Sequence, residues 1–169
     1  QGQKAAIHLV MSTSDRMVVI QGIAGSGKTT ALKEIHQLCE SIDTQPLIIA
    51  NTGRAKNQAK QQYAGIEAMT TAQFLTRMEG ALSRDRDQAK KDFKHALVIV
   101  DESSMISSHQ LARLEKIVIA LEIHLALFGD FKQIGSIGSG TSLYDALAYG
   151  VNKALMNENV RLSSSLAFE

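Results

Sequence analysis

The segment Gly22-Ile23-Ala24-Gly25-Ser26-Gly27-Lys28-Thr29-Thr30 directly follows an apolar run and opens a stretch of helical period. Gly25 and Gly27 let the backbone wrap close to phosphate oxygens, and the loop amides and the following helix N-terminus offer donors to an anion. Lys28 would reach β- and γ-phosphates and Thr29 would ligate Mg²⁺, which makes Gly22, Gly25, Ser26, Gly27, Lys28, Thr29 and Thr30 a phosphate-loop set in the strand-to-helix context it requires. Further on, Val98-Ile99-Val100-Asp101-Glu102 delivers two adjacent carboxylates from the end of an apolar strand. With a phosphate loop nearby, Asp101 suits the metal and Glu102 the attacking water; taken alone, the pair also reads as a solvated acidic turn. Phe128-Gly129-Asp130-Phe131-Lys132-Gln133 then sets a polar amide, Gln133, beyond another apolar run, where it could sense a γ-phosphate.

These groups must be brought together by the elements between them. Met17 to Ile20, Leu47 to Ala50, Ala96 to Val100 and Ile123 to Phe128 are short apolar runs that read as buried parallel strands. The segment from Thr29 to Cys39 places Leu32, Ile35 and Leu38 on one helical face, and His109 to Leu121 does the same with Leu111, Leu114, Ile117, Val118 and Leu121. Strands alternating with helices predict a doubly wound α/β sheet, whose ligands bind beyond the carboxyl ends of the strands. The loops after Ile20, Ala50, Val100 and Phe128 are therefore where function should lie, and each carries a polar motif.

Composition sets the limits. A chain of 169 residues, 44% hydrophobic and 21% charged, suits one globular domain over residues 1–169. No apolar stretch approaches the roughly 20 residues that cross a bilayer, and Gln1 to Met11 lacks a signal-peptide layout, so no membrane role and a cytoplasmic location are expected. The one cysteine, Cys39, reads as a small buried hydrophobe. Net charge is +1, so contact with nucleic acid would need a local basic surface. Arg54, Lys56, Lys60, Arg77, Arg84, Arg86, Lys90, Lys91 and Lys94 gather in the middle third, an arrangement that by itself reads as a solvated face. Neither His8, His36, His95, His109 and His124 nor the scattered Tyr63, Tyr144 and Tyr149 support a metal site or a nicking tyrosine.

Taken together, the phosphate loop with Lys-Thr-Thr, the Asp101-Glu102-Ser103-Ser104-Met105 box and Gly129-Asp130-x-x-Gln133 resemble motifs I, II and III of superfamily 1 helicases of the RecD-like branch. Gly2-Gln3-Lys4-Ala5-Ala6, Ser14-Asp15-Arg16 and Asn159-Val160-Arg161 bring the resemblance closer to the helicase part of conjugative relaxase-helicases of the TraI type. It runs over nearly the whole chain and is looser between Asp43 and Lys94. The resemblance implies a RecA-like P-loop NTPase domain, an α/β parallel sheet flanked by helices on both faces, that binds ATP and Mg²⁺ as the first motor domain of a helicase. It implies that Gln3 reads adenine, that Arg161 approaches the γ-phosphate, and that Thr52, Gly53, Arg54 and Thr70 contact single-stranded DNA. Several relatives carry proline where this chain has Asn51. Without the resemblance, Thr52 and Thr70 read as helix caps.

The implied partners are single-stranded DNA, a second RecA-like domain of the parent chain, and relaxase or type IV secretion components. That second domain would supply an arginine finger, so this chain alone is expected to bind Mg·ATP yet hydrolyse it slowly. A P-loop kinase or phosphotransferase stays open, since a phosphate loop does not name the phosphoryl acceptor. So does a non-catalytic single-stranded-DNA-binding module of a relaxase.

Overall fold

Strands that are apolar on both faces belong in the interior of a parallel sheet, where helices cover each side. The structure, a computed structural model, describes residues 2–23, 25–63, 65–130 and 152–156. The chain runs α1 (Gly2–Ser12), β1 (Met17–Gly22), α2 (Lys28–Ser41), β2 (Gln45–Ala50), α3 (Gly53–Gln62), β3 (Glu67–Thr70), α4 (Thr71–Arg84), α5 (Arg86–Asp92), β4 (Ala96–Val100), a 3-10 turn (Ser103–Met105), α6 (Ser108–Leu121), β5 (His124–Gly129) and β6 (Lys153–Met156). The strands form one six-stranded sheet in the order β3-β2-β4-β5-β1-β6, and every pairing is parallel. The parallel flanked sheet expected from the sequence is therefore present.

Alternate residues of β1 to β5 feed two cores. Val19, Ile49, Val98, Val100 and Leu127 pack with Phe74, Leu75 and Met78 of α4 and with Leu111, Leu114, Ile117, Val118 and Leu121 of α6. On the other face Val18, Ile20, Ile48, Ile99 and Phe128 meet Ala6, Ile7 and Val10 of α1, Leu32, Ile35 and Cys39 of α2, and Tyr63. Cys39 is fully buried, as expected of a small hydrophobe, and burial pushes its thiol up to about 11.

The four expected strands are found within two residues at each end, and α6 buries all five residues assigned to its inner face. One face assignment is corrected. Leu38 is 39% exposed, and Ala31 and Cys39 join Leu32 and Ile35 instead. On a 3.6-residue period Cys39 falls on the same side of Ile35 as Leu32, whereas Leu38 lies on the opposite flank, about 20° beyond the small Ala31. β3 and β6 went unassigned by the sequence reading because both are four-residue edge strands: Ala68 and Met69 are buried in one, Ala154 and Met156 in the other. Their apolar runs, Ala68-Met69 and Ala154-Leu155-Met156, are shorter than those of the central strands.

Because all strands are parallel, Gly22, Ala50, Thr70, Val100 and Gly129 end at the same sheet edge. Among the described residues no helix is long and apolar enough to cross a membrane.

Candidate nucleotide-binding site

The loop between β1 and α2 turns on two left-handed glycines, Gly25 (φ 81°) and Gly27 (φ 82°). Gly27 caps α2 without a side-chain bond, which leaves the first amides of a 14-residue helix facing the loop. Close approach explains the glycines. A Cβ on Gly22 would lie 2.9 Å from Lys28 Cγ and 3.0 Å from Ser26 Oγ, and one on Gly27 would lie 1.7 Å from Gln3 Nε2. Ser26 is buried and its hydroxyl has no hydrogen-bond partner among the described residues. A buried hydroxyl, uncapped helix amides and Lys28 around one turn are the donor set that an anionic phosphate chain would satisfy.

Lys28 Nζ lies 3.6 Å from Glu102 Oε1, so the loop and the acidic pair are in direct contact. Asp101 follows β4, its amide bonded to the Ile49 carbonyl at 3.1 Å, and its Oδ1 accepts the Glu102 amide at 2.9 Å. Burial raises the Asp101 pKa, the Glu102 charge adds to the rise, and Lys28 and the Glu102 amide oppose it. A desolvated carboxylate beside a second acid suits a cation, because a positive ion would remove both penalties. Glu102 is left-handed (φ 54°, ψ 44°), and Ser103 locks the following turn by donating to the Phe128 carbonyl at 3.0 Å.

Thr29 has a partner that the sequence did not reveal. Gln62 Nε2 donates to its hydroxyl at 3.1 Å, and the Tyr63 phenol approaches it. Tyr63 is pushed up to about 12, first by burial, with Asp101 adding to the rise and Thr29 opposing it. No local pattern links residue 29 to residues 62 and 63; the sheet order brings α3 over the start of α2.

Gln3, on α1, donates from Nε2 to the carbonyls of Ser26 at 3.2 Å and Gly27 at 3.4 Å, so it clasps the phosphate loop. Thr30 sits on the exposed side of the first turn of α2. Thr52, Gly53 and Arg54 begin α3 at the same sheet edge, where Thr52 caps the helix by accepting the Ala55 amide at 3.1 Å. Thr70 caps α4 in a reciprocal capping box with Gln73. Both threonines are thus caps; Thr52, Gly53 and Arg54 are exposed, whereas Thr71, next to Thr70, is buried. Asp130 is buried and accepts from Gln21 Nε2 at 3.1 Å. Gln133 and Arg161 lie outside the described residues. Of the basic cluster, Arg77 pairs with Glu67 at 2.8 Å and stacks over Phe93, and Lys90 pairs with Glu122, so part of it is a structural face.

A family model described as AAA domain matches residues 1–167. The chain belongs to that family. It is 31% identical over 170 residues to the multifunctional conjugation protein TraI of Escherichia coli (strain K12), a match covering 98% of this chain and 9% of TraI. It is 27% identical to the RecBCD enzyme subunit RecD of Mycolicibacterium smegmatis, covering 85% of this chain and 29% of RecD. The chain therefore spans less than a third of either relative. The Pif1 helicase of Candida albicans superposes with a TM-score of 0.61 at 17% identity, over 95% of this chain and 40% of Pif1. The expected likeness to TraI and RecD is borne out by the two relatives, and the RecA-like fold by the superposition.

Proposed function

We propose that this chain is the ATP-binding motor domain of a DNA helicase, coupling Mg·ATP hydrolysis to movement along single-stranded DNA in conjugative transfer. The observation that carries the reading is the 3.6 Å contact between Lys28 of the phosphate loop and Glu102 of the acidic pair, at the edge where β2 and β3 also end, next to Thr52 and at Thr70. The likeness to a conjugation protein over 98% of the chain supplies the setting.

The roles follow from the chemistry of each group. Backbone amides from Gly27 to Thr30, with the Ser26 hydroxyl, hold the phosphate oxygens, while the Ser26 amide donates to the Ile23 carbonyl at 3.1 Å. Gln3 keeps its donor on the loop and offers Oε1 to the amino group of adenine. Lys28 transfers its charge from Glu102 to the β- and γ-phosphates, which releases the Glu102 carboxylate to accept a proton from water aligned on the γ-phosphorus. The new P–O bond forms as the bond to the bridging oxygen of ADP breaks, giving ADP, phosphate and a proton. Mg²⁺, held by Thr29 and Asp101, would neutralise charge building on the phosphate oxygens. Gln133 senses the γ-phosphate and Arg161 approaches it. Thr52, Gly53, Arg54 and Thr70 contact the DNA backbone through helix-start amides and one cation. A second RecA-like domain completes the cleft, and relaxase or type IV secretion components are the wider partners.

The test is fluorescence anisotropy of labelled single-stranded DNA against the chain, with and without Mg²⁺ and a non-hydrolysable ATP analogue. Nucleotide-dependent DNA binding that disappears in Lys28→Ala is the expected result. Nucleotide binding with no affinity for any nucleic acid would refute the motor reading and favour a phosphotransferase.

A further inference from the structure

Hydrogen bonds at the ends of β2, β3 and β4 join the two capped helix starts to Glu102 through one side chain. Asn51, the residue after β2, donates from Nδ2 to the main-chain carbonyl of Glu102 at 3.1 Å. Its Oδ1 accepts from the Thr71 hydroxyl at 3.2 Å, and that hydroxyl, on a buried side chain, also lies 3.4 Å from the Ala50 carbonyl. A carbonyl can only accept, so the amide nitrogen must face Glu102 and the oxygen must face Thr71.

Glu102 is the residue that needs holding. With φ 54° and ψ 44° it is left-handed, a conformation in which Cβ crowds the following carbonyl. Its peptide groups are pinned on both sides. The amide donates to Asp101 Oδ1 at 2.9 Å, and the carbonyl accepts from Asn51 and from the Met105 amide at 3.0 Å. Rotation to the right-handed region would turn the carbonyl away from Asn51 and carry the carboxylate away from Lys28.

We propose that Asn51 is a positioning residue that holds Glu102 in its left-handed, loop-facing geometry and ties that geometry to the starts of α3 and α4. The inference rests on reading Glu102 as the group that orients water. Asn51 adjoins the cap Thr52, and Thr71 adjoins the cap Thr70. A strand pressing on either helix start would reach the Glu102 carbonyl through this single amide. Contact at the DNA-facing edge is thereby coupled to the placement of the water-orienting carboxylate.

The experiment compares the native chain with Asn51→Ala, Asn51→Asp and Thr71→Val. Asn51→Asp keeps the size and the acceptor for Thr71 but removes the donor to Glu102. Hydrogen exchange at the Glu102 and Met105 amides, measured without nucleotide, should quicken about 5- to 10-fold in both Asn51 variants, the loss of one hydrogen bond. Single-turnover ATP hydrolysis should fall by a similar factor while Kd for Mg·ATP stays within about twofold, with Thr71→Val showing a smaller change of the same sign. Unchanged exchange overturns the hold on Glu102. Faster exchange with unchanged turnover overturns the positioning role, and so does a joint loss of nucleotide affinity and Tm, which would mark general loosening. A native chain that binds no nucleotide would refute the motor reading instead, and the exchange measurement would still decide what Asn51 does.

Discussion

Replacing Gly27 with alanine should damage the phosphate loop through two separable effects. Gly27 has φ 82°, and a side chain in the left-handed region costs about 1–2 kcal/mol. The new methyl would also lie 1.7 Å from Gln3 Nε2, so the Gln3 side chain must leave and its bonds to the Ser26 and Gly27 carbonyls are lost. Two long, partly buried hydrogen bonds from one amide contribute together about 1 kcal/mol. The expected destabilisation is therefore about 2–3 kcal/mol for Gly27→Ala, about 1 kcal/mol for Gln3→Ala, and nearly the Gly27→Ala value for the double variant. Urea unfolding of the four proteins measures the coupling, whose expected size is about 1 kcal/mol. Strict additivity would show that Gln3 and Gly27 do not meet and would refute the account of α1 as a clasp on the loop.

Half-buried Asp101 makes a prediction about pH. Because burial raises its pKa above the ordinary 3.8, the folded state resists its ionisation, and the charge destabilises the chain at pH values above the folded pKa. Asp101→Asn should therefore be more stable than the native chain at pH 7, with the gap narrowing as pH falls through the folded pKa and closing below 3.8; urea melts across pH test this, and a constant gap would refute it. Thr70 separates capping from DNA contact: Thr70→Ala should lose about 1 kcal/mol of stability, whereas Thr70→Asp should keep the cap and weaken DNA anisotropy by charge repulsion. Equal DNA affinity in Thr70→Asp and the native chain would remove Thr70 from the interface.

Much of the site was legible in the sequence because its determinants are local. A phosphate loop needs glycines, a lysine and a threonine at fixed spacing between a strand and a helix, and residues 22–30 contain all of them within nine positions. Asp101 and Glu102 were readable because an uninterrupted apolar run, Ala96 to Val100, ends on them. The helix-cap reading of Thr52 and Thr70 was likewise local, since a cap depends on amides three residues on.

What lay beyond reach was everything that depends on which strands become neighbours. The approach of Gln62 and Tyr63 to Thr29, the span from Asn51 to Glu102 and the clasp of Gln3 on Gly27 each join segments more than 20 residues apart. Their side chains carry no periodicity that announces a partner. Periodicity also left the edge strands β3 and β6 unmarked, because apolar runs of two and three residues are too short to stand out beside those of the central strands. The sequence by itself determined which residues could bind phosphate and metal, through spacing along the chain. Only the tertiary structure decided which side chains restrain them, because the strand order β3-β2-β4-β5-β1-β6 sets distances that spacing does not encode.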